Sequence, residues 1–207
     1  PSGENCILIV KGANAQLSPA DVDRAADALK ECDLILMQLE IPLETVYHTV
    51  AFGAEHGIET LVNPAPAPAD LDSTKIEKAT FLVPNQTELA TISGMAVNSL
   101  ADAEAAARSL IARGVKTVIV TLGGDGALLI NGNDAAVHID PVSVKPVDTT
   151  GAGDAFIGSF ARYYAENRDV KAALEMAVRY AADSITRPGT QKSYATVQDF
   201  EKFCQSL

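Results

Sequence analysis

Residues 148–154 have the sequence Asp-Thr-Thr-Gly-Ala-Gly-Asp and precede an apolar run that is typical of a helix. Gly151 and Gly153 allow a tight turn and a close approach of the backbone to a ligand. The first N–H groups of the helix have no acceptor within it, so they can stabilise a developing negative charge. Asp154 lies in the same first turn, where its carboxylate could accept a proton from an attacking hydroxyl. This combination indicates phosphoryl transfer from a nucleotide to an alcohol.

Other glycine-rich phosphate motifs do not fit the chain. The pattern GxxxxGK[ST] does not occur, and the glycines of residues 148–154 do not match GxGxxG. A lone Gly-x-Gly would more often be a simple turn, with Asp148 or Asp154 capping a helix. The length of the motif, and the small residues in the AFIGSF stretch after it, favour the functional interpretation.

Strand-like apolar runs alternate with helical patterns along the chain. The predicted strands are residues 6–10, 33–38, 59–62, 81–83, 116–121 and 127–130. The predicted helices are residues 18–30, 43–56, 85–93, 99–113, 154–166, 170–186 and 197–205. This alternation is typical of an α/β fold with a mostly parallel sheet between two layers of helices. Ligands bind at the carboxyl ends of such strands, so we expect the site there.

Composition limits the class of partner. The 207 residues carry a formal net charge of −11, which argues against a nucleic-acid or anionic-membrane surface. No apolar stretch approaches the length of a membrane span. The three cysteines form no CxxC pair, which argues against a disulfide framework and fits a cytoplasmic location. The three histidines lack zinc-site spacing.

The motif at residues 148–154 resembles the C-terminal signature of the ribokinase family of carbohydrate kinases. The resemblance spans all 207 residues, and it rests on GAN (12–14), QLE (38–40), NPAPA (63–67), PNQTE (84–88), TLGGDG (121–126), DTTGAGD (148–154) and RPGTQKS (187–193). It implies a ribokinase-like three-layer α/β/α fold and ATP-dependent phosphorylation of a sugar hydroxyl, with Mg²⁺ and K⁺. QLE and NPAPA resemble the members that convert D-ribose to D-ribose 5-phosphate. Another sugar or nucleoside substrate (deoxyribose, fructose) and an inactive nucleotide-binding fragment remain alternatives.

The resemblance also implies roles for single residues. Asp154 would deprotonate the sugar hydroxyl, and Gly151, Ala152 and Gly153 would form the anion hole for the transferring phosphoryl group. Glu40, at the end of a predicted strand, would hydrogen-bond a sugar hydroxyl. These residues would form the sugar and catalytic part of the site.

The nucleotide would bind beside them. Asn85 would contact its phosphates, and Glu88 would order the water shell of Mg²⁺; a simple solvated helix-end charge is the alternative for Glu88. The ATP site would be lined by Thr121, Leu122, Gly123, Gly124, Asp125 and Gly126, which could equally be a tight hairpin turn. Family members often carry Asn or His near the adenine at about Ala177 or Val178, where this chain is apolar, so adenine contacts are expected to be hydrophobic.

A monovalent-cation site beside the anion hole is implied by the resemblance alone. Its residues would be Asp148, Thr150, Ser184, Arg187, Gly189 and Ser193. A cation there would fix the loop and favour negative charge nearby.

The beginning of the sequence departs from the family. The chain starts with Pro1, and the family's N-terminal third, with most of its sugar-closing lid, has no counterpart in it. We expect residues 1–14 to be the end of a lid strand returning to the core, and residues 15–207 to be the nucleotide-binding and catalytic domain. We therefore expect these residues to begin inside a longer polypeptide, which would be a homodimer at full length.

Overall fold

The structure is a computed structural model that describes residues 9–68 and 70–207. Within these residues the sheet has six strands, in the spatial order β1-β2-β3-β4-β5-β6. They are β1 (Leu34–Gln38), β2 (Glu59–Asn63), β3 (Phe81–Leu82), β4 (Thr117–Thr121), β5 (Ala127–Asn131) and β6 (Val137–Ile139). β1 to β4 pair in parallel, and β5 and β6 add antiparallel pairs. The mostly parallel sheet is confirmed, whereas β6 was not predicted from the sequence.

Helices connect and cover the strands. They are α1 (Pro19–Arg24), α2 (Ala26–Leu29), α3 (Leu43–His56), α4 (Gln86–Ser93), α5 (Leu100–Arg113), α6 (Ala152–Asn167), α7 (Val170–Ser184) and α8 (Val197–Gln205). Short 3-10 helices span Gly12–Gln16, Ser73–Lys75, Gly123–Asp125 and Gln191–Ser193.

The predicted single helix over residues 18–30 is wrong, because α1 and α2 are separated at Ala25. The start of α1 is as expected: Pro19 is its first residue, and Ser18 and Asp21 form a capping box on either side of it. Within the described chain α1 buries Val22 and α2 buries no residue. Ala26 and Leu29 of α2 pack against the core but stay only partly buried, so little burial supports one continuous helix here.

The core lies on both faces of the sheet, as a three-layer fold requires. Alternate strand residues point to opposite faces: Val118 and Val120 pack with α3, α4 and α5, and Ile119 packs with α6 and α7. All three of these valine and isoleucine side chains are fully buried. The predicted ribokinase-like α/β/α class agrees with this arrangement.

Helix α6 is anchored at the end remote from its glycine turn. Arg168, in a left-handed conformation at φ 58°, donates to Asp33 and Glu59, each at 2.7 Å. The Tyr164 hydroxyl also donates to Glu59, at 2.9 Å. The Phe81 ring packs edge-on against Tyr164, with ring centroids 4.8 Å apart. These contacts tie the last turn of α6 to the amino ends of β1 and β2.

Two expectations from the sequence remain: a strand over residues 6–10, and no segment long and apolar enough to span a membrane. Of the predicted strand over residues 6–10, only Ile9 and Val10 fall within the described residues, where both are exposed and outside any strand. The GAN motif lies in the 3-10 helix Gly12–Gln16. The division into residues 1–14 and 15–207 stays a prediction. Across the described ranges, no helix combines the length and apolarity needed to cross a bilayer.

Candidate active site

The carboxyl ends of the parallel strands are tied together by hydrogen bonds between the segments that follow them. Leu39, after β1, donates its N–H to the Ala65 carbonyl at 3.1 Å. The buried Asn63 side chain, at the end of β2, donates to the Val83 carbonyl at 2.7 Å. These contacts create one continuous rim, at which the QLE, NPAPA and PNQTE motifs meet as the sequence predicted.

The glycine turn at residues 151–153 begins α6. Gly151 precedes the helix at φ 83°, and its carbonyl accepts from the N–H of Ala155 at 2.9 Å. The Ala152 N–H donates to the Thr149 carbonyl at 3.2 Å. Among residues 9–68 and 70–207, the N–H groups of Gly151 and Gly153 form no hydrogen bond. Two of the three predicted anion-hole amides are thus unpaired, and the third is engaged within the turn.

Asp154 extends from the first turn of α6 and is exposed. Its Oδ1 atom accepts a hydrogen bond of 3.2 Å from the side-chain amide of Gln38, at the end of β1. The N–H faces the carboxylate because an ionised carboxylate can only accept. The structure therefore brings the predicted base to the rim and orients it through a residue 116 positions away.

Asn85 and Glu88 cap α4 reciprocally. The Asn85 side chain accepts from the Glu88 N–H at 2.8 Å, and Glu88 Oε2 accepts from the Asn85 N–H at 2.8 Å. Burial raises the pKa of Glu88 above its usual range, and the hydrogen bond from Asn85 partly offsets that. The amide nitrogen of Asn85 and the second oxygen of Glu88 are not used in the cap. A capping role and a ligand role are therefore compatible.

The TLGGDG segment follows β4 and turns into β5. Thr121 donates its N–H to the Pro84 carbonyl at 3.0 Å, which places the turn beside Asn85. The Leu122 side chain is buried in the core. Gly126 has φ 84°, and the Ile139 carbonyl oxygen would lie 2.1 Å from a Cβ atom placed on it. The turn therefore requires glycine at residue 126, and both readings of the motif, hairpin and nucleotide loop, fit its position.

A cavity of about 400 Å³ lies next to β6, on the α7 side. Its lining includes Ile139, Asp140, Val142, Val178 and Arg179. Ala177, named with Val178 in the sequence analysis, is fully buried in the core. Val178 thus lines a cavity whose wall includes Ile139 and Asp140, the residues whose backbone Gly126 approaches closely.

Asp148 links the glycine turn to the RPGTQKS segment. Its Oδ1 accepts from the Thr150 N–H at 3.0 Å, and its Oδ2 accepts from the Gly189 N–H at 2.9 Å. Hydrogen bonds from Thr150 and from Gly189 hold the pKa of Asp148 below its usual range. The predicted cation-site residues Asp148, Thr150 and Gly189 are therefore in contact through this carboxylate.

The remaining predicted cation residues, Ser184, Arg187 and Ser193, already form hydrogen bonds within the protein. Arg187 forms two contacts with the buried Asp183 carboxylate, at 2.9 and 2.5 Å. It also donates to the Ser193 carbonyl from Nε at 3.0 Å and from Nη2 at 2.7 Å. The Ser184 hydroxyl donates to the Ala181 carbonyl at 2.8 Å. Ser193 consequently offers a cation its hydroxyl oxygen, because its carbonyl oxygen already accepts two N–H groups.

Glu40 is exposed two residues beyond Gln38. Both residues line a groove of about 430 Å³ whose other walls include Asn14, Leu17 and Ile41. Glu40, which is predicted to bind the sugar, and Gln38, which contacts the predicted base Asp154, therefore line the same groove.

Comparisons with known proteins show the family to which the chain belongs. Residues 1–197 match the family model described as pfkB family carbohydrate kinase. The chain belongs to this family. It is 52% identical over 202 residues to a deoxyribokinase from Salmonella typhi, with 98% of this chain and 66% of that protein covered. It is 37% identical over 203 residues to a ribokinase from Schizosaccharomyces pombe, covering 97% and 64% respectively.

A solved structure supports the fold assignment within the pfkB family. It is a ribokinase from Arabidopsis thaliana complexed with ribose and ATP, at a TM-score of 0.87 and 25% identity, covering 98% of this chain and 65% of that one. The ribokinase-like fold is confirmed. The chain spans about two thirds, 66% and 64%, of the length of the two curated relatives above.

Two contacts of the candidate site were not identified from the sequence. Gln38 belongs to the QLE motif, yet only Glu40 was given a role there. Tyr194 follows RPGTQKS, and its hydroxyl donates to the Gly151 carbonyl at 3.1 Å. No local pattern indicates the partner of either residue, because each partner lies far away in the sequence.

Proposed function

We propose that the protein is an ATP-dependent pentose kinase that transfers the γ-phosphoryl group of ATP to a sugar hydroxyl. The observation that carries the proposal is the exposed Asp154 carboxylate beside the unpaired amides of Gly151 and Gly153, at the rim of a parallel sheet. Membership of the pfkB family supports it.

The chemistry follows from these groups. Asp154 accepts the proton of the sugar hydroxyl as its oxygen forms a bond to the γ-phosphorus. The bond from that phosphorus to the bridging oxygen of ATP breaks, and ADP leaves with the bonding electrons. The Gly151 and Gly153 amides stabilise the charge on the equatorial oxygens, assisted by the positive end of the α6 dipole. The products are a phosphosugar and ADP.

We infer a nucleotide position from the same rim. The phosphates would lie between Asn85 and the 121–126 turn, since these are joined through Thr121 and Pro84. The adenine would then enter the cavity that Val178 lines, where Ile139, Val142 and Val178 offer apolar contacts and Ser143, Glu175 and Arg179 offer polar ones. The ATP bound to the Arabidopsis relative supports ATP as the co-substrate.

Mg²⁺ and K⁺ fit the side chains present. The unused Glu88 oxygen suits a hard cation that keeps its waters, and Mg²⁺ would neutralise phosphate charge when bound. A monovalent cation would be held by Asp148, together with backbone and hydroxyl oxygens of Thr150 and of residues 184–193. Asp148 has lone pairs left after its two hydrogen bonds, so it remains a competent ligand.

Two pentoses are candidates, D-ribose and 2-deoxy-D-ribose. The QLE and NPAPA motifs favour ribose, whereas the 52% identity to a deoxyribokinase favours 2-deoxyribose. We propose that both are phosphorylated and that 2-deoxyribose is the better substrate. The homodimeric state and the cytoplasmic location stay predictions.

The test is an assay of the protein as its native gene produces it. We expect ADP release with Mg²⁺, ATP and either pentose, and a 5-phosphate product in the phosphorus NMR spectrum. The ratio of kcat/KM for the two sugars decides the preferred substrate. ATP binding without transfer to ribose, 2-deoxyribose or fructose would instead favour the inactive nucleotide-binding alternative.

Gln38 gives a second prediction, because its amide donates to Asp154 at 3.2 Å. Gln38→Glu places a like charge beside the base, which disfavours its ionised form, so the acidic limb of the kcat profile should move up by about one pH unit. Gln38→Met has a similar length but neither charge nor donor, so it should lower kcat about fivefold and move that limb up by clearly less than Gln38→Glu does. Superimposable profiles for the Gln38→Glu variant and the unmodified protein would show that Gln38 does not contact the base during turnover.

A further inference from the structure

The Gly151–Ala152 peptide group is held at both of its polar ends. Its carbonyl oxygen accepts from the Ala155 N–H at 2.9 Å and from the Tyr194 hydroxyl at 3.1 Å. Its N–H donates to the Thr149 carbonyl at 3.2 Å. Two of these three contacts come from the turn and the helix themselves. The Tyr194 contact is different, because it comes from a segment 43 residues further along the chain.

The space for this hydroxyl exists because residue 151 is glycine. A Cβ atom on Gly151 would lie 2.8 Å from the Tyr194 oxygen, closer than van der Waals contact allows. The backbone at φ 83° is also a conformation that glycine adopts readily. Gly151, the first residue of the proposed anion hole, therefore also leaves room for the Tyr194 hydroxyl next to its backbone.

Glycine at residues 151 and 153 leaves the turn with unusual backbone freedom, which works against a preorganised anion hole. The unpaired N–H groups that would face the phosphoryl group flank the Gly151–Ala152 peptide on either side. Fixing the plane of that peptide leaves each of the two neighbouring peptide groups only one backbone torsion by which to rotate against it. A hydrogen bond from outside the turn is well placed to do so.

The phenol remains a donor at neutral pH. Burial raises the pKa of the Tyr194 hydroxyl above its ordinary value, and the charge of the nearby Asp154 carboxylate raises it further. Tyr194 itself is fixed by the Gln191–Ser193 3-10 helix, to which its N–H donates at 3.4 Å. The hydroxyl thus connects the RPGTQKS segment to the glycine turn, in parallel with the link from Gly189 to Asp148.

We propose that Tyr194 is a positioning residue for phosphoryl transfer, whose hydroxyl holds the Gly151–Ala152 peptide so that the Gly151 and Gly153 amides converge on the transferring group. The inference rests on the proposed kinase function. It implies that Tyr194 acts on the transition state, in which the planar phosphoryl group needs both amides, and has little effect on the binding of ATP or sugar.

The experiment compares Tyr194→Phe with Tyr180→Phe in the protein as its native gene produces it. The Tyr180 hydroxyl donates to the Ala195 carbonyl at 3.0 Å, so the control removes the same kind of bond from the same segment without touching the turn. We expect Tyr194→Phe to lower kcat about tenfold with KM values within about twofold. Tyr180→Phe should leave kcat unchanged.

A binding measurement separates this role from a general loss of stability. Calorimetry with ADP, Mg²⁺, aluminium fluoride and 2-deoxyribose uses a mimic of the transferring phosphoryl group. Tyr194→Phe should weaken this complex about tenfold while ATP affinity and the melting temperature change little. Equal kcat for Tyr194→Phe and the unmodified protein, or equal losses in both Phe variants, would overturn the inference. Absence of turnover in the unmodified protein would instead count against the proposed function.

Discussion

Asp154→Asn is expected to lower pentose phosphorylation about 1,000-fold while leaving ATP affinity within about twofold of the unmodified protein. Asparagine has the same size, and its oxygen can still accept the 3.2 Å hydrogen bond from Gln38, so the geometry of the rim is retained. The variant removes the group that takes the proton of the hydroxyl. Steady-state kinetics and calorimetric titration with ATP measure the two quantities.

The contrary result is as informative. An Asp154→Asn variant that retained most of its rate would show that another group, or water, accepts the proton. The assignment of the base would then be wrong although the anion hole could still function. A variant that lost ATP binding along with turnover would point to misfolding of the first turn of α6.

Gly126→Ala is expected to destabilise the protein by about 3 kcal/mol, through strain at φ 84° and overpacking. The atoms that a Cβ would meet are all backbone: the Ile139 oxygen at 2.1 Å, the Pro141 nitrogen at 2.9 Å and the Asp140 carbonyl carbon at 3.0 Å. They cannot rotate away, so the turn after β4 must shift. For a chain of this size we expect the melting temperature to fall by roughly 6 to 12 °C.

Gly124→Ala is the matched control for stability in the same turn. No described atom lies within 4 Å of a Cβ on Gly124, and its φ lies outside the left-handed region. Its melting temperature should stay within about 2 °C of that of the unmodified protein. Equal melting temperatures for the two variants would show that the 121–126 turn does not pack against residues 139–141 as described.

Local signals determined how much of the fold could be predicted. Gly57 and Gly94 end α3 and α4 in left-handed conformations, and Ser99 caps α5 with its side chain, all at the predicted positions. β6 was missed because three residues around His138, part exposed, carry too short a pattern to be distinguished from a loop. The break at Ala25, where φ is −92° and ψ is 3°, has no glycine or proline to mark it in the sequence.

The candidate site shows the same difference between features marked by local sequence and features that depend on tertiary contacts. The motif residues of the glycine turn and of the α4 cap lie where the sequence placed them, because each motif is contiguous. The contacts of Gln38 with Asp154 and of Tyr194 with Gly151 join residues 116 and 43 positions apart. Spacing along the chain contains no information about such pairs until the strand order and the packing of α6 and α7 are known.

The anchoring of α6 has a consequence for motion. At its last turn Arg168 and Tyr164 bond to Asp33 and Glu59, and at its first turn Asp154 bonds to Gln38. The helix is thus fastened to the two ends of β1, so we expect the proposed base to keep its place relative to the sheet. A sugar would then reach a carboxylate whose position is set before it binds.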